Sequence, residues 1–317
     1  AGAGALIIPR RRDLLQEGGL VGLSNLGNTC YMAACIQCLA HTPGIAEYFA
    51  KTSGWEGDLN KRAGESKGSV TREFASLMGE LWGGKGGSIR PASFKKAMAG
   101  EAEQFQGCAQ HDLQEYMRLL LDCLHEGLNR VKVVPPYEDE DTPRGETEDD
   151  KADRLWGRHE RHSNSFVSDL FCGQLQSTVE CRECGHRHTT YDPFWELSVP
   201  IPQQRRGRGG GCTLEDCMEA FTADEELEKD DAVWCRRCKA LQPSRKRLRV
   251  HRFPPVLVIH LKRFRYTSSA RDKISRPVKY PHALAVGACA SEEAKSSVVG
   301  GSDLPGYRLY AVGNHSG

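Results

Sequence analysis

Two Cys-x-x-Cys pairs constrain this chain more than any other feature of its sequence. Cys181 and Cys184 form the first pair, Cys235 and Cys238 form the second, and fifty residues separate the pairs. Two such turns present four thiolates, which is the ligand set of a closed, tetrahedral Zn2+ site. A redox Cys-x-x-Cys is the alternative, but it would account for one pair and not for two flanked by strand-like segments. The spacing therefore predicts a fold in which two distant segments meet at one structural zinc ion.

The composition is that of a soluble globular protein, with 39% hydrophobic and 27% charged residues in a chain of 317. The odd number of cysteines, 13, fits a reducing, intracellular compartment better than a secreted disulfide scaffold. The first residues have no long apolar core of a secretory signal, and the initial Ala suggests a partial sequence. No apolar run approaches the roughly 20 residues that cross a bilayer. We therefore expect no membrane partner and a location in the cytoplasm, the nucleus or both.

The charge distribution gives no general attraction to nucleic acid, because the formal net charge is only +1. Arg236 to Arg252 carries eight Lys or Arg residues and is the local exception. Without interleaved exposed aromatic residues, this stretch reads as a solvated face of a ribbon. We therefore expect no nucleic-acid partner.

Helix patterns dominate the first half of the chain and strand patterns the second, which predicts an α+β fold. Apolar periodicity and breakers predict helices over 73–81, ended by Gly83 and Gly84, over 91–98 and over 112–128. Short runs rich in β-branched or aromatic residues predict strands over 177–180, 256–261 and 307–312. A helical part packed on a mostly antiparallel part would leave a groove between them.

Polar or glycine-rich segments divide the chain. Residues 1–19 are expected to be a flexible extension, and 55–71, 202–211 and 287–306 are expected to be loops or breaks. The segment 137–153 has nine acidic and two basic residues and almost nothing apolar, so it is expected to be a solvated loop.

A cysteine follows directly after a glycine-containing turn in Gly22–Met32, which reads GLSNLGNTCYM. Apolar residues then recur at three- and four-residue steps through Ala40 and predict an amphipathic helix beginning near Cys30. The free N–H groups and the dipole of a helix start favour a thiolate. Asn25 can donate its side-chain amide to an oxyanion, together with the backbone N–H of Cys30. Cys30 is thus a candidate nucleophile, against the alternative of a buried structural cysteine.

Two helix starts carry candidate caps. Asn28 or Thr29 can cap the helix of Cys30. At the start of the strongest helix pattern, Asp112 and Glu115 have the spacing of an N-cap and its third-residue acid.

Five motifs in order resemble the ubiquitin-specific proteases. Besides the cysteine box Gly22–Met32, they are Gln110–Tyr116, Leu170–Pro202, Phe253–Phe264 and Tyr307–Gly317. Together they span about residues 20 to 317, and five ordered matches are far more specific than any one of them. The resemblance identifies the chain as a cysteine deubiquitinase, which hydrolyses isopeptide bonds at the ubiquitin C-terminus, with ubiquitin and ubiquitinated proteins as its partners.

The resemblance also implies a papain-like α+β fold with a helical thumb, a β-rich palm and β fingers that carry the zinc. It divides a single catalytic domain, 20–317, into a thumb at about 20–130 and fingers and palm at about 165–317. Cys30 would lie in the groove between the helical and β-rich parts. Asp112 would meet the substrate tail, which leaves Glu115 as the cap of its helix.

The general base is the part that the resemblance does not locate within this sequence. In the family, the Asn-His-Ser-Gly run is followed by a loop and then Gly-His-Tyr, whose His is the base; an Asp or Asn farther on orients it. This sequence stops at Gly317, within that run, so His315 is expected to end a strand and not to act as base. The alternative function is therefore a ubiquitin-binding module without turnover.

Overall fold

The computed structural model describes residues 18–51, 54–62, 64–84, 86–136, 143, 145–202, 211–266, 271–296 and 306–314. Most of the predicted extension 1–19, most of the predicted break 202–211, and His315 lie outside these residues. None of the helices in the described ranges is both long enough and apolar enough to cross a bilayer.

The helices confirm the predicted pattern of the first half and add segments that the sequence did not indicate. In chain order they are α1 (Cys30–Ala40), α2 (Pro43–Ala46), α3 (Trp55–Asp58), α4 (Gly64–Gly83), α5 (Ala92–Glu101), α6 (Leu113–Gly127), α7 (Glu148–His162), α8 (Phe166–Phe171), α9 (Leu214–Thr222) and α10 (Glu292–Ser296). The predicted helices at Cys30, 91–98 and 112–128 are confirmed as α1, α5 and α6.

The strands concentrate in the second half, as predicted. They are β1 (Gly22–Leu23), β2 (Ser88–Ile89), β3 (Gly173–Cys181), β4 (Arg187–Phe194), β5 (Leu197–Pro200), β6 (Cys212–Thr213), β7 (Glu225–Leu227), β8 (Val233–Cys235), β9 (Ala240–Gln242), β10 (Ser244–Arg252), β11 (Ile259–Lys262), β12 (Phe264–Tyr266), β13 (Arg271–Lys273), β14 (Val278–Lys279), β15 (Ala283–Ala285) and β16 (Gly306–Arg308). The predicted strands 256–261 and 307–312 are only partly extended, in β11 and β16.

The predicted loop over 55–71 is wrong, because α3 and the first turns of α4 occupy it. Its polar, glycine-containing composition gave no helical stripe. Val70 and Thr71 are nevertheless fully buried, and α4 packs against α5 and α6. Tertiary packing on these neighbours therefore stabilises a helix that local propensity alone does not indicate.

The predicted acidic loop 137–153 is wrong over residues 148–153, which form the first turns of α7. Thr147 and Asp150 make a reciprocal cap: the Asp150 N–H donates to Thr147 Oγ1 (3.1 Å) and the Thr147 N–H to Asp150 Oδ2 (3.3 Å). The acidic residues lie in the first turn, where the helix dipole favours negative charge. Residues 137–142 and 144 lie outside the described part.

The predicted break at 287–306 is wrong over its first ten residues. A 3-10 turn occupies Gly287–Cys289 and α10 follows it, with Ala290 and Ser291 buried between them. Residues 297–305 lie outside the described part of the chain.

The described chain forms two compact units. The first comprises Ala1–Pro135, His162–Leu170 and Tyr310–Gly317. Its core is rich in aromatic side chains: Phe74 contacts Phe94, and the Tyr116 ring packs edge-on against Phe105 with 5.1 Å between ring centroids. Helix α1 packs against α6, so the segment that begins at Cys30 lies directly on this core.

The second unit comprises Pro136–Arg161 and Phe171–Leu309. Its largest sheet is antiparallel, with the strand order β4-β3-β10-β7. Helix α9 packs against β5 over a hydrophobic cluster that includes Val199, Cys217 and Val250. The α+β class is thus confirmed, whereas the predicted division into thumb, fingers and palm stays a prediction.

Candidate active site and metal centre

The turn before Cys30 reverses the chain through two residues with positive φ. Gly27 has a φ of 100° and Asn28 a φ of 51°. Glycine adopts this region freely, and Asn does so more readily than most residues with side chains. A Cβ on Gly27 would also lie 3.2 Å from Cys108 Sγ. The Gly-Asn pair therefore permits the tight reversal that makes Cys30 the first residue of α1.

The side-chain oxygen of Asn25 holds this turn together. Asn25 Oδ1 accepts hydrogen bonds from the Gly27 N–H (3.0 Å), the Thr29 N–H (3.1 Å) and Thr29 Oγ1 (3.1 Å). These bonds fix the amide plane and occupy its oxygen, so the donor atom Nδ2 faces the other way. Within the described ranges, no residue accepts a hydrogen bond from Asn25 Nδ2, and Asn25 is exposed. The amide is therefore preorganised as a donor.

Thr29 is the N-cap residue of α1, but the predicted side-chain cap is wrong for both candidates. The Thr29 side chain makes no capping hydrogen bond to the helix. Its hydroxyl accepts from the Leu26 N–H (2.9 Å) while donating to Asn25. Asn28 Nδ2 donates instead to the carbonyl oxygen of Cys108 (2.8 Å). Both side chains thus hold the turn rather than the helix end, and the spacing rules for caps could not distinguish these roles.

Cys30 is the solvent-exposed thiol of α1. Cys35 is fully buried and Cys38 partly buried, and burial raises the pKa of both of these thiols. A raised pKa leaves less thiolate near neutral pH, and burial blocks access to a substrate. Position and exposure therefore both favour Cys30 as the nucleophile among the three cysteines of this helix.

The segment before α6 contacts the cysteine turn, and the sequence alone did not indicate this contact. Cys108 is exposed and accepts the hydrogen bond from Asn28. The buried Tyr31 ring packs edge-on against His111, with 5.2 Å between ring centroids. Burial, and then the nearby Cys30 and Cys108 thiols, raise the pKa of Tyr31. The start of α6 therefore lies close to the candidate nucleophile.

Asp112 caps α6. Its Oδ1 accepts from the Gln114 N–H (2.7 Å) and the Glu115 N–H (3.2 Å), which satisfies two of the free donors at the helix start. The prediction that Glu115 is the cap is wrong: Glu115 Oε1 accepts from Gln104 Nε2 (3.0 Å). The second predicted role of Asp112, contact with a substrate tail, is compatible with the cap because both capping hydrogen bonds use Oδ1. Asp112 also follows His111, whose ring contacts Tyr31 next to Cys30.

The four cysteines of the two Cys-x-x-Cys pairs converge in the second unit. Their sulfur atoms all lie within 4.8 Å of one another. The distances from Cys181 Sγ to Cys238 Sγ and from Cys184 Sγ to Cys235 Sγ are 4.0 and 3.6 Å. Zn–S bonds of about 2.3 Å in a tetrahedron place sulfurs about 3.8 Å apart. The cluster can therefore hold a metal ion, and its donor set and dimensions fit Zn2+.

Both knuckles use the same backbone turn. The Gly185 N–H donates to the Cys181 carbonyl (2.9 Å), and the Lys239 N–H donates to the Cys235 carbonyl (2.8 Å). Gly185 and Lys239 have φ values of 67° and 54°. The Cys238 N–H also donates to Cys235 Sγ (3.4 Å), and this hydrogen bond is the main reason that the pKa of Cys235 falls to about 7. Backbone donors thus favour the thiolate form that a metal ion requires.

Comparison with known protein families matches residues 21–317 to the family described as Ubiquitin carboxyl-terminal hydrolase. Ubiquitin carboxyl-terminal hydrolase Usp2 of Drosophila melanogaster is 37% identical over 307 residues, which cover 96% of this chain and 30% of that protein. Ubiquitin carboxyl-terminal hydrolase 2 of Homo sapiens is 36% identical, over 94% of this chain and 47% of that protein. The chain therefore spans less than half the length of these two relatives.

Solved structures with a similar fold include the SAGA DUB module Ubp8/Sgf11/Sus1/Sgf73 bound to monoubiquitin. The TM-score is 0.65 at 22% identity, and the match covers 88% of this chain and 56% of that chain. The same module bound to ubiquitin aldehyde has a TM-score of 0.63 at 23% identity, over 87% of this chain and 54% of that chain. At this level of identity the likeness shows a shared fold.

A shorter relative extends the sequence match over most of both chains. Ubiquitin carboxyl-terminal hydrolase 2 of Gallus gallus is 39% identical over 311 residues, which cover 98% of this chain and 83% of that protein. The resemblance predicted from the ordered motifs is confirmed, and the chain belongs to the ubiquitin carboxyl-terminal hydrolase family.

Proposed function

We propose that this chain is the catalytic domain of a thiol-dependent deubiquitinase that hydrolyses isopeptide bonds at the C-terminus of ubiquitin. The observation that carries the proposal is the turn at Cys30, where an exposed thiol begins a helix beside an amide donor held by three hydrogen bonds to its oxygen. Membership of the family, and the monoubiquitin bound to the similar SAGA DUB module, support this substrate.

In the proposed reaction, the sulfur of Cys30 attacks the carbonyl carbon of the terminal glycine of ubiquitin. The carbonyl oxygen becomes an oxyanion that accepts from Asn25 Nδ2 and the Cys30 N–H. When this intermediate collapses, the carbon–nitrogen bond breaks, the lysine amine leaves with a proton from a general acid, and a thioester remains on Cys30. Water then hydrolyses the thioester. Thr29 is a positioning residue, because its hydroxyl orients the Asn25 oxygen.

Asp112 is proposed to contact the ubiquitin tail, which ends in Leu-Arg-Gly-Gly. A carboxylate beside the tail can pair with its arginine through charge-assisted hydrogen bonds. Two backbone N–H groups already bond Asp112 Oδ1, so the second oxygen, Oδ2, is the proposed acceptor. The position of Asp112 next to His111, which contacts Tyr31, supports this role.

Cys181, Cys184, Cys235 and Cys238 are proposed to bind one structural Zn2+. When bound, the ion would supply no chemistry to the reaction; it would fix the two knuckles to each other. The knuckles come from separate segments, β3 with its following turn and the β8–β9 hairpin, so four sulfur ligands would join two parts of the chain that are far apart in sequence.

An intracellular location, in the cytoplasm, the nucleus or both, is part of the proposal. All 13 cysteines are described as free thiols, which fits a reducing compartment. The placement of Cys30 in a groove between thumb and palm also stays a prediction.

The first prediction concerns the nucleophile. A ubiquitin carrying a C-terminal electrophile should label this chain once, at Cys30, as mapped by mass spectrometry of the digested adduct. Cys30→Ser should abolish labelling, whereas Cys38→Ser, in the same helix, should not. Labelling at Cys35, Cys38 or Cys108 in place of Cys30 would contradict the assignment.

Turnover is measured separately from labelling, because it needs a general acid and base as well as the thiol. Release of ubiquitin from a conjugate should require Cys30, so Cys30→Ser should abolish it and Cys38→Ser should not. Labelling at Cys30 without turnover would support the alternative, a ubiquitin-binding module.

The second prediction concerns the oxyanion donor. Asn25→Asp keeps an oxygen acceptor for the turn but removes the Nδ2 donor, so release of a fluorescent amine from ubiquitin should slow roughly 10²–10³-fold. Asn28→Asp is the matched control, because it adds the same charge to the same turn. Alkylation of Cys30 by iodoacetamide forms no oxyanion and measures any general effect of that charge on the thiol. Equal slowing of amine release by both variants would refute the assignment.

The third prediction separates the two roles of Asp112. Asp112→Asn should keep the cap, since Asn is as good an N-cap as Asp, but it removes the charge that pairs with the tail. The free energy of unfolding should therefore stay nearly constant while the ubiquitin dissociation constant rises roughly tenfold or more. Asp112→Ala should lower the free energy of unfolding by about 1 kcal/mol and should also raise the ubiquitin dissociation constant. Unchanged ubiquitin affinity in Asp112→Asn would leave Asp112 as a cap alone.

The fourth prediction concerns the metal. Protein purified without chelators should contain one equivalent of zinc, and Cys235→Ser should hold less than half of that. Cys289→Ser, a buried cysteine of the same unit outside the cluster, should retain the full equivalent. Because the ion would hold the knuckles, Cys235→Ser should weaken ubiquitin binding while iodoacetamide still alkylates Cys30 at the normal rate. A metal-free wild-type protein would refute the zinc proposal.

A further inference from the structure

An open surface pocket of about 510 Å³ in the second unit is lined by basic side chains: Lys151, His186, Arg187, His188, Arg236 and Arg237. These residues form what is here named the basic pocket. Lys151 comes from α7, the segment from His186 to His188 follows the first cysteine knuckle, and Arg236 and Arg237 lie within the second knuckle. Three separate parts of the chain thus contribute cationic groups to one concave surface.

The charge of the basic pocket is only partly balanced by its surroundings. Arg187 pairs with Glu180 (3.1 Å), and Lys151 Nζ donates to the Thr189 carbonyl (2.6 Å). Arg236 and Arg237 are exposed and have no ion-pair partner in the described ranges. A zinc ion with four thiolates would carry a net charge of −2 and Glu180 carries −1, which together are smaller than the +4 of Lys151 and the three arginines. The surface therefore keeps a net positive charge that a ligand can use.

The side chains of the basic pocket lie close enough to influence one another. The pKa of the exposed His188 is lowered, first by partial desolvation of its ring and then by Lys151, Arg236 and His186, against an opposing effect of Glu148. Each of these groups therefore feels the same converging positive field. An anion that entered the pocket would reduce this repulsion between the lining residues.

The chemistry of the pocket favours an acidic peptide over a nucleic acid. Its lining has no Phe, Tyr or Trp side chain, the large rings on which bases stack best. Three of the four neighbouring arginines of β10 are already neutralised: Arg247 pairs with Asp224 (2.6 Å), Arg245 with Glu226 (3.2 Å), and Arg252 with Asp153. These ion pairs interrupt the basic stretch, so it does not present the long, continuous track of unpaired charge that a phosphate backbone requires.

We propose that the basic pocket binds an acidic peptide segment of a protein partner, whose carboxylates pair with Arg236 and Arg237. Guanidinium groups bind carboxylates through two parallel hydrogen bonds, and the remaining lining residues add a positive field around them. This site is separate from Cys30 and does not depend on the proposed hydrolysis. It provides a second binding site through which an acidic partner or substrate protein can be recognised.

The test uses the full chain and a fluorescein-labelled short peptide of Asp, Glu and Gly, with binding followed by fluorescence anisotropy. The peptide should bind, whereas a peptide with Asn and Gln in place of the acids should not. Arg236→Gln with Arg237→Gln should weaken binding roughly tenfold or more, because charge-assisted hydrogen bonds are lost. Arg182→Gln is the matched control, since Arg182 is an exposed arginine of the other knuckle that does not line the pocket.

Two further measurements keep the proposal testable if the double variant folds poorly. Zinc content and circular dichroism report its folding, and backbone amide resonances of the wild type should shift at residues 186–188 and 236–237 when the acidic peptide is added. Equal affinity for the neutral peptide, equal losses in the Arg182 control, or shifts elsewhere would overturn the proposal. Tighter binding of a single-stranded RNA of matched charge would also overturn it, in favour of a nucleic-acid site.

Discussion

The antiparallel pairing of β3 with β10 determines where the second unit places its chemistry. The ladder runs from Arg252 opposite Gln174 to Ser244 opposite Cys181, and the Arg182 N–H extends it by donating to the Pro243 carbonyl (2.9 Å). Because the first knuckle begins where β3 ends, and β10 follows the second knuckle and the β9 strand, this register brings both knuckles to the same end of the sheet. The four-sulfur cluster and the basic pocket both follow from that register.

In the first unit, the side-chain oxygen of Asn25 determines the conformation of the turn before Cys30. Asn25 Oδ1 accepts three hydrogen bonds, two from backbone N–H groups and one from the Thr29 hydroxyl. The same oxygen that stabilises the turn therefore orients the amide nitrogen that the proposed reaction uses. Because the hydrogen bonds of the turn fix the Asn25 amide, its nitrogen is held in position without a separate supporting residue.

The basic residues of the second unit fall into two groups, one that is ion-paired and one that is not. Three of the four arginines of β10 are used internally, because Asp224, Glu226 and Asp153 form ion pairs with them and neutralise them. Exposed ion pairs of this kind contribute little stability individually, but they remove free charge from the sheet surface. The arginines of the second knuckle have no such partners within the described chain, so the same stretch of sequence contains both a neutralised face and a free basic surface.

Local sequence patterns were sufficient wherever short-range chemistry decides the result. Leucines at helical spacing indicated α6, the glycine-containing turn indicated the start of α1 at Cys30, and the two Cys-x-x-Cys pairs identified all four members of the sulfur cluster. The family, too, followed from the order of its motifs. The helix features depend on residues close together in the sequence. The metal-ligand candidates depend only on the spacing within the two Cys-x-x-Cys pairs, which together supply four thiolates.

The remaining features depend on contacts between residues far apart in the sequence. Helix α4 extends back to Gly64, and Val70 and Thr71 in this extension are buried, which the polar composition of the segment does not reveal. The sequence identified Thr29 as a possible cap, but the tertiary turn uses its hydroxyl to hold Asn25. The proximity of Cys108 to Gly27, and of Lys151 to Arg236, required the folded chain. The sequence by itself thus determined the family, the nucleophile candidate and the metal-ligand candidates, whereas tertiary structure decided which groups surround them, because long-range packing selects among the partners that local patterns allow.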